Sequence, residues 1–353
     1  MSRFLSQPLA RLEAYVPGEQ PQDRKYIKLN TNESPYPPSK GVIKAVNKKE
    51  VRDLRLYCDP ECRRLKEAMA KHYGVDGKNV FLANGSDDIL NFAFMAFGES
   101  GAAYCDITYG FYSVFAQLHG RQSEVIPLKE DFTVDSEKFM GVNKLVVLAN
   151  PNAPTGISLP LTTIEDILRA NPDHVVLIDE AYVDFGGESC MALTRKYDNL
   201  LCVGTFSKSR SMAGARLGFA VANEALIADL EKIKYSTNPY NINRLTQIAG
   251  VAAVRDSSYY ADNCRKIIET RAYVSAELER LGFTVLPSKA NFLFAKSDKI
   301  SGLALYERLR EKGVLIRHFE QERIREYNRV TIGSRKDMEV FIAKVKECIG
   351  ESV

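Results

Sequence analysis

Nothing in the 353 residues approaches the roughly 18 consecutive apolar residues that a membrane span needs, so no spanning helix is expected. The opening stretch, MSRFLSQPLARLEAYVPGEQ, lacks a continuous apolar core and carries charges throughout, which argues against a signal peptide. Charge of one sign is also scarce: 48 Lys and Arg stand against 45 Asp and Glu, a net of +3, with no Lys/Arg-rich block. So small a surplus leaves no electrostatic footprint for a nucleic-acid partner. The seven cysteines form no CxxC pair and are accompanied by only four scattered histidines, so neither a metal site nor a disulfide framework is supported. Cys105 and Cys202 lie in apolar strand-like runs and are expected as reduced core residues, which suits the cytoplasm. Neither GxxxxGKS nor GxGxxG occurs, so the P-loop and dinucleotide fingerprints are absent, which disfavours a dehydrogenase.

What remains is an ordinary globular composition, 45% hydrophobic and 26% charged, with length for roughly two domains. Residues 1–45 are Pro-rich and irregular. Over 46–242, the short apolar runs Val80–Ala83, Leu145–Ala149, Val175–Asp179, Leu200–Phe206 and Leu217–Val221 alternate with amphipathic helical patterns. Continuous apolar runs are strands buried on both faces, and helices between them imply parallel crossovers, so this is an α/β domain. Over 243–353 the pattern changes to one or two helices (243–281), strand-like Thr284–Leu286, Phe292–Ala295 and Arg329–Ile332, and helices Leu303–Lys312 and Asp337–Cys348. That describes a smaller α+β domain.

Five features fall at or just after strand ends, where ligands of open α/β sheets bind. Asp179 closes the run Val175–Ile178; it either meets a cationic or hydrogen-bonding ligand or caps the next helix. Lys208 follows Leu200–Val203 within TFSKSRSMAGARLG, and is either a solvated loop lysine or a desolvated nucleophile flanked by Phe206 and Met212. Asn84-Gly85-Ser86 leads into a helix near Asp87, which makes Ser86 either a plain N-cap or part of a phosphate seat. ANPNAPTG (149–156) presents the Asn152 amide from a proline-stiffened loop, or is an ordinary Asn-Pro turn. Tyr109 and Tyr112 are either core aromatics or a platform for a planar ring. A phosphate seat, a carboxylate, ring-oxygen donors (Asn152, Tyr182), a stacking aromatic and a nucleophilic lysine together match one ligand, pyridoxal 5'-phosphate.

The same segments resemble the fold type I pyridoxal-phosphate-dependent aminotransferases, and among them the histidinol-phosphate aminotransferase family. The motifs run nearly end to end: YVPG (15–18), KLNTNESPY (28–36), LYCDP (56–60), GSDDIL (85–90), TYGFY (108–112), ANPNAPTG, LIDEAYVDF, TFSKSRSMAGARLG, PYNIN (239–243), ANFLF (290–294), GVLIR (313–317) and RVTIGS (329–334). The resemblance implies a segment 1–45 that closes over the active site, a large cofactor domain 46–242 with a mostly parallel sheet, and a small domain 243–353. Carried across residue by residue, it makes Lys208 the Schiff-base lysine, Asp179 the partner of the pyridine nitrogen, and Asn152 and Tyr182 the donors to the ring oxygen. Tyr109 would stack on the ring. Ser86, Asp87, Thr205, Ser207 and Arg216 would hold the cofactor phosphate, with Tyr57 reaching it from the second subunit of a homodimer. Arg329 and Arg317 would receive the anionic end of the substrate, with Asn32 and Tyr15 in the closing segment. The implied reaction moves an amino group between histidinol phosphate and 2-oxoglutarate in histidine biosynthesis. An aromatic aminotransferase and a threonine-phosphate decarboxylase share most of these motifs. Ala153, Ile107 and Asn328 depart from residues common in the family, and Asn328 lies next to the substrate arginine.

Overall fold

The computed structural model describes residues 2–350. Strand β1 (Ile27–Lys28) belongs to the N-terminal stretch. A seven-stranded sheet follows, made of β2 (Val80–Ala83), β3 (Ala102–Cys105), β4 (Ser123–Ile126), β5 (Leu145–Ala149), β6 (Val176–Asp179), β7 (Leu200–Thr205) and β8 (Gly218–Ala222). Its order is β2-β8-β7-β6-β5-β3-β4. Only β8 runs against its neighbours; the β3–β4, β3–β5, β5–β6 and β6–β7 pairs are parallel. The reversal has a local cause: no crossover helix intervenes between β7 and β8, so the chain turns back beside the strand it has just left.

Side chains alternate across this sheet with period two. Val146, Leu148, Val176, Ile178, Leu200 and Cys202 join one apolar cluster, while Leu145, Val147, Leu177, Leu201 and Val203 join another on the opposite face. The register then fixes the site. Ala149 stands opposite Asp179, Asp179 opposite Val203, and Thr205 and Ala83 both opposite Gly218, so the carboxyl ends of β2, β5, β6 and β7 share one edge with the start of β8. Gly218 is required there, because a Cβ on it would fall on the backbone of Gly85 and Ser86.

The C-terminal part holds β9 (Phe283–Val285), β10 (Phe292–Ser297), β11 (Val314–Leu315), β12 (Arg317–His318) and β13 (Asn328–Thr331). Four of them form an antiparallel sheet in the order β12-β13-β10-β9, with an apolar cluster of its own. The region expected as one helix or two is two, Arg244–Arg255 and Ser257–Arg280, divided at Asp256; Asn243 starts the first by accepting from the Thr246 N–H. Strand β1 pairs in parallel with β11, Ile27 opposite Val314, and thereby ties the start of the chain to its end. Among the described residues no helix is long and apolar enough to cross a membrane.

Candidate active site

A cavity of about 780 Å³ opens on the edge where the strands end. Tyr15, Asn32, Ser86, Asp87, Tyr109, Asp179, Tyr182, Thr205, Ser207, Lys208, Arg216, Arg317 and Arg329 all line it. Thus thirteen candidates, chosen from segments up to about 300 residues apart, meet in one space.

The loop after β7 is built to present Lys208. Its neighbour Phe206 is buried, Met212 N–H closes the turn on the Phe206 carbonyl, and Ser209 donates its hydroxyl to Asp184. Lys208 Nζ donates to the Thr31 carbonyl at 3.1 Å. Burial, followed by the nearby Arg329 charge, pushes this amine down to about 8. Asp179 is 4% exposed, and burial pushes its carboxyl up to about 6 against the hydrogen bonds it accepts from Tyr112 and Ala181. Tyr182 is raised by burial; its hydroxyl accepts from Asn32 Nδ2 at 2.9 Å, which leaves the phenolic proton free to point elsewhere.

At the end of β2 the backbone leaves donors free. Helix Ser86–Phe97 starts from Gly85 with no side-chain cap, so its first N–H groups and its dipole face the cavity. Gly85 adopts φ +88°, and a Cβ there would come within 2.6 Å of Arg216 Nη2. Arg216 itself sits at φ +54° and donates to Asp87 Oδ2 at 2.8 Å, while Tyr109 donates to Asp87 Oδ1 at 2.8 Å. Asp87 therefore holds both the arginine fork and the tyrosine in place. Across the turn, Ser207 N–H bonds Thr205 Oγ1 at 3.1 Å.

Two further arginines line the same cavity. Arg329 on β13 stands directly opposite Arg317 on β12. Like charges opposed across an antiparallel pair are destabilising unless an anion lies between them. Arg329 gives one bond to the Asn30 carbonyl at 3.0 Å, lies over the Phe292 and Phe319 rings, and keeps a buried Nε without a partner. Arg317 donates to the Val16 and Pro17 carbonyls at 3.2 and 3.3 Å. Tyr15, from the same N-terminal stretch, stacks on Phe111 with centroids 4.2 Å apart.

Two expected site residues do not line the cavity. Asn152 is turned inward: Nδ2 donates to the Ile107 carbonyl and Thr155 Oγ1, both at 3.0 Å, and Oδ1 accepts from Thr108 at 2.9 Å. In this arrangement its amide braces the loop under the cavity instead of reaching into it. Tyr57 is 82% exposed and stacks on Tyr240 at 4.5 Å, outside the cavity lining. Asn32 lines the cavity, yet its side chain is committed, Nδ2 to Tyr182 and Oδ1 to Thr331 Oγ1 at 2.9 Å. Asn328, the unusual neighbour of Arg329, points away, bonding His318 at 3.2 Å and the Gly302 carbonyl at 2.8 Å. Contacts absent from the sequence reading are Thr31 on Lys208 and Tyr112 on Asp179. The first had no signal at all, and the second showed only as an aromatic near a strand end.

Elsewhere, Glu180, Cys190 and Cys202 gather in a buried group. The Glu180 carboxyl, raised by burial, already accepts from Ser189 Oγ and Cys190 N–H at 2.6 Å each, so the group reads as packing behind β6 and β7. The cysteines among the described residues form no disulfide, and Cys105 and Cys202 are buried in the core, as their apolar runs predict.

A lysine, a buried carboxyl and an uncapped helix start meet at the strand ends of a mostly parallel sheet, and the fold is that of the type I aminotransferases. The chain belongs to the aminotransferase class I and II family, whose model matches residues 24–345. Within it, the chain is 50% identical over 352 residues to the histidinol-phosphate aminotransferase of Brachyspira hyodysenteriae, covering 99% of each. Against the histidinol-phosphate aminotransferase of Clostridium acetobutylicum the identity is 49% over 351 residues, 99% of this chain and 100% of that one. Among solved structures, the histidinol-phosphate aminotransferase of Sinorhizobium meliloti in complex with pyridoxal-5'-phosphate superposes with a TM-score of 0.84 at 25% identity, covering 93% of this chain and 92% of that one.

Proposed function

We propose that this enzyme transfers the amino group of histidinol phosphate to 2-oxoglutarate with pyridoxal 5'-phosphate as cofactor. The observation that carries the substrate reading is the opposed pair Arg317 and Arg329, with the Arg329 Nε buried and unpaired across the cavity from Lys208. Two guanidinium forks on one dianion suit a phosphate monoester.

The cofactor fits the residues present. The uncapped helix start and the space that a Gly85 Cβ would close form a cradle for its phosphate, with Arg216, Thr205 and Ser207 around it. Asp179 would meet the pyridine nitrogen, Tyr182 the ring oxygen, Tyr109 the ring face and Lys208 the aldehyde. Once bound, pyridoxal phosphate supplies an electron sink that stabilises negative charge at the substrate carbon. Lys208 Nζ, lowered from 10.5 to about 8, gives up its proton more readily than a free lysine and can move the proton at that carbon. Asp179 keeps a negative charge in a buried place, and Arg317 joins Arg329 in fixing the phosphate of the amino donor.

The same reading makes the enzyme a homodimer, supported by an exposed apolar face that includes Ile43, Val51, Leu54, Leu56, Tyr57 and Tyr240. It takes residues 1–45 as the closing segment, 46–242 as the cofactor domain and 243–353 as the small domain, with the β1–β11 pairing in support of the first. It is also a cytoplasmic reading, which unpaired cysteines suit.

The test is turnover of histidinol phosphate, phenylalanine and threonine phosphate side by side on wild type and Arg317→Ala. Histidinol phosphate is expected as the best donor, with its KM raised about 10- to 100-fold in the variant, while phenylalanine turnover barely changes. A variant that loses nothing toward the phosphorylated donor removes the substrate reading. Colourless protein after reconstitution, with no cofactor fixed by borohydride on the Lys208 peptide, removes the cofactor reading.

A further inference from the structure

Behind Asp179, in the first turn of helix Phe111–Leu118, stands Tyr112. Its side chain is wholly buried and its hydroxyl donates to Asp179 Oδ2 at 3.0 Å. Ala181 N–H donates to Asp179 Oδ1 at 3.2 Å, so each carboxylate oxygen is held by a separate donor. Rotating the carboxyl group would break both bonds. The position of the Tyr112 hydroxyl is itself fixed, because its ring packs edge-on against Tyr109 (5.8 Å, 87°) and Tyr104 (6.2 Å, 62°).

The chemistry of the slot singles out this hydroxyl. Tyr112 belongs to an apolar cluster with Phe94, Phe115, Leu145 and Val147, where a phenylalanine would pack equally well. A buried hydroxyl there is costly unless it is bonded, and its partner is the Asp179 carboxylate. Tyr112 reaches neither the cavity surface nor a ligand within it, so whatever it contributes passes through Asp179.

We propose that Tyr112 is a positioning residue of the amino-transfer site: its hydrogen bond aims the Asp179 carboxylate into the cavity and favours the ionised form, and thereby sets how firmly the pyridine nitrogen of the cofactor is held. This rests on the pyridoxal-phosphate reading of the cavity. Burial drives the carboxyl toward its neutral form, and the Tyr112 bond is the main opposing influence.

The experiment measures pyridoxal-phosphate affinity by fluorescence titration of the apoproteins of wild type, Tyr112→Phe, Asp179→Asn and the double variant, followed by steady-state kinetics. Tyr112→Phe is expected to bind the cofactor about 10- to 100-fold more weakly, the worth of one hydrogen bond to an ionised acceptor. It should lower kcat with little change in KM for the amino donor. In the Asp179→Asn background the same substitution should cost less than about twofold, because the group it acts through is gone. An unchanged affinity in Tyr112→Phe, or an equal loss in both backgrounds, overturns the inference while leaving the cofactor reading intact. Failure of the wild-type apoprotein to take up pyridoxal phosphate overturns both.

Discussion

Replacing Lys208 with methionine should make the cofactor-free protein more stable near neutral pH. The amine is pushed from its ordinary 10.5 down to about 8, first by burial and then by Arg329. In the unfolded chain it returns to the ordinary value, so between pH about 8 and 10.5 the unfolded state binds a proton that the folded state does not. Stability therefore rises with pH across that window, and below pH 8 the half-buried lysine destabilises the fold by at most about 3 kcal/mol. Methionine fills a similar volume without a charge. Its loss of the bond to the Thr31 carbonyl offsets about 1 kcal/mol, which leaves a net gain of at most about 2 kcal/mol at pH 7. Urea unfolding of both apoproteins at pH 7 and pH 10.5 measures it. The gain should be present at the lower pH and gone at the higher one. A variant less stable than wild type at pH 7, or a difference that ignores pH, would refute the reasoning and return Lys208 to the status of an ordinary surface lysine.

Two further outcomes follow from the same geometry. Gly218→Ala should destabilise the fold by about 3 kcal/mol or more and lower cofactor affinity with it, since the added methyl displaces the Gly85–Ser86 turn from the anion seat; thermal unfolding and cofactor titration report the two effects. Cofactor capture by the apoprotein should weaken as pH falls through about 6, where Asp179 takes up a proton, and Asp179→Asn should flatten that dependence; a profile unaltered by the substitution removes Asp179 as its source.

Strands β5, β6 and β7 were legible because both faces of a central parallel strand are buried, which makes all but their carboxyl-end residues a continuous apolar run. Edge strand β4 was not, since Ser123 and Val125 are exposed and the segment carries no continuous apolar run. Asp179 and Lys208 stood out because a charge directly after such a run must have a reason. The direction of the Asn152 amide did not, because it depends on Thr108 and Ile107, some 45 residues away. Tyr112 reads in sequence as one more core aromatic, and only packing shows that its hydroxyl meets a carboxylate. The opposition of Arg317 and Arg329 is likewise a matter of register, invisible until β12 and β13 are paired.

The seam between the chain's beginning and its end has a consequence for biosynthesis. Ile27 and Lys28 pair with Val314 and Leu315, Asn32 bonds Thr331, and Thr31 caps the Lys208 amine. A ribosome makes Ile27 287 residues before Val314, and Asn32 299 residues before Thr331. Strand β1 must therefore wait, unpaired, until β11 has been made, and the pocket is finished by segments far apart in the polypeptide meeting.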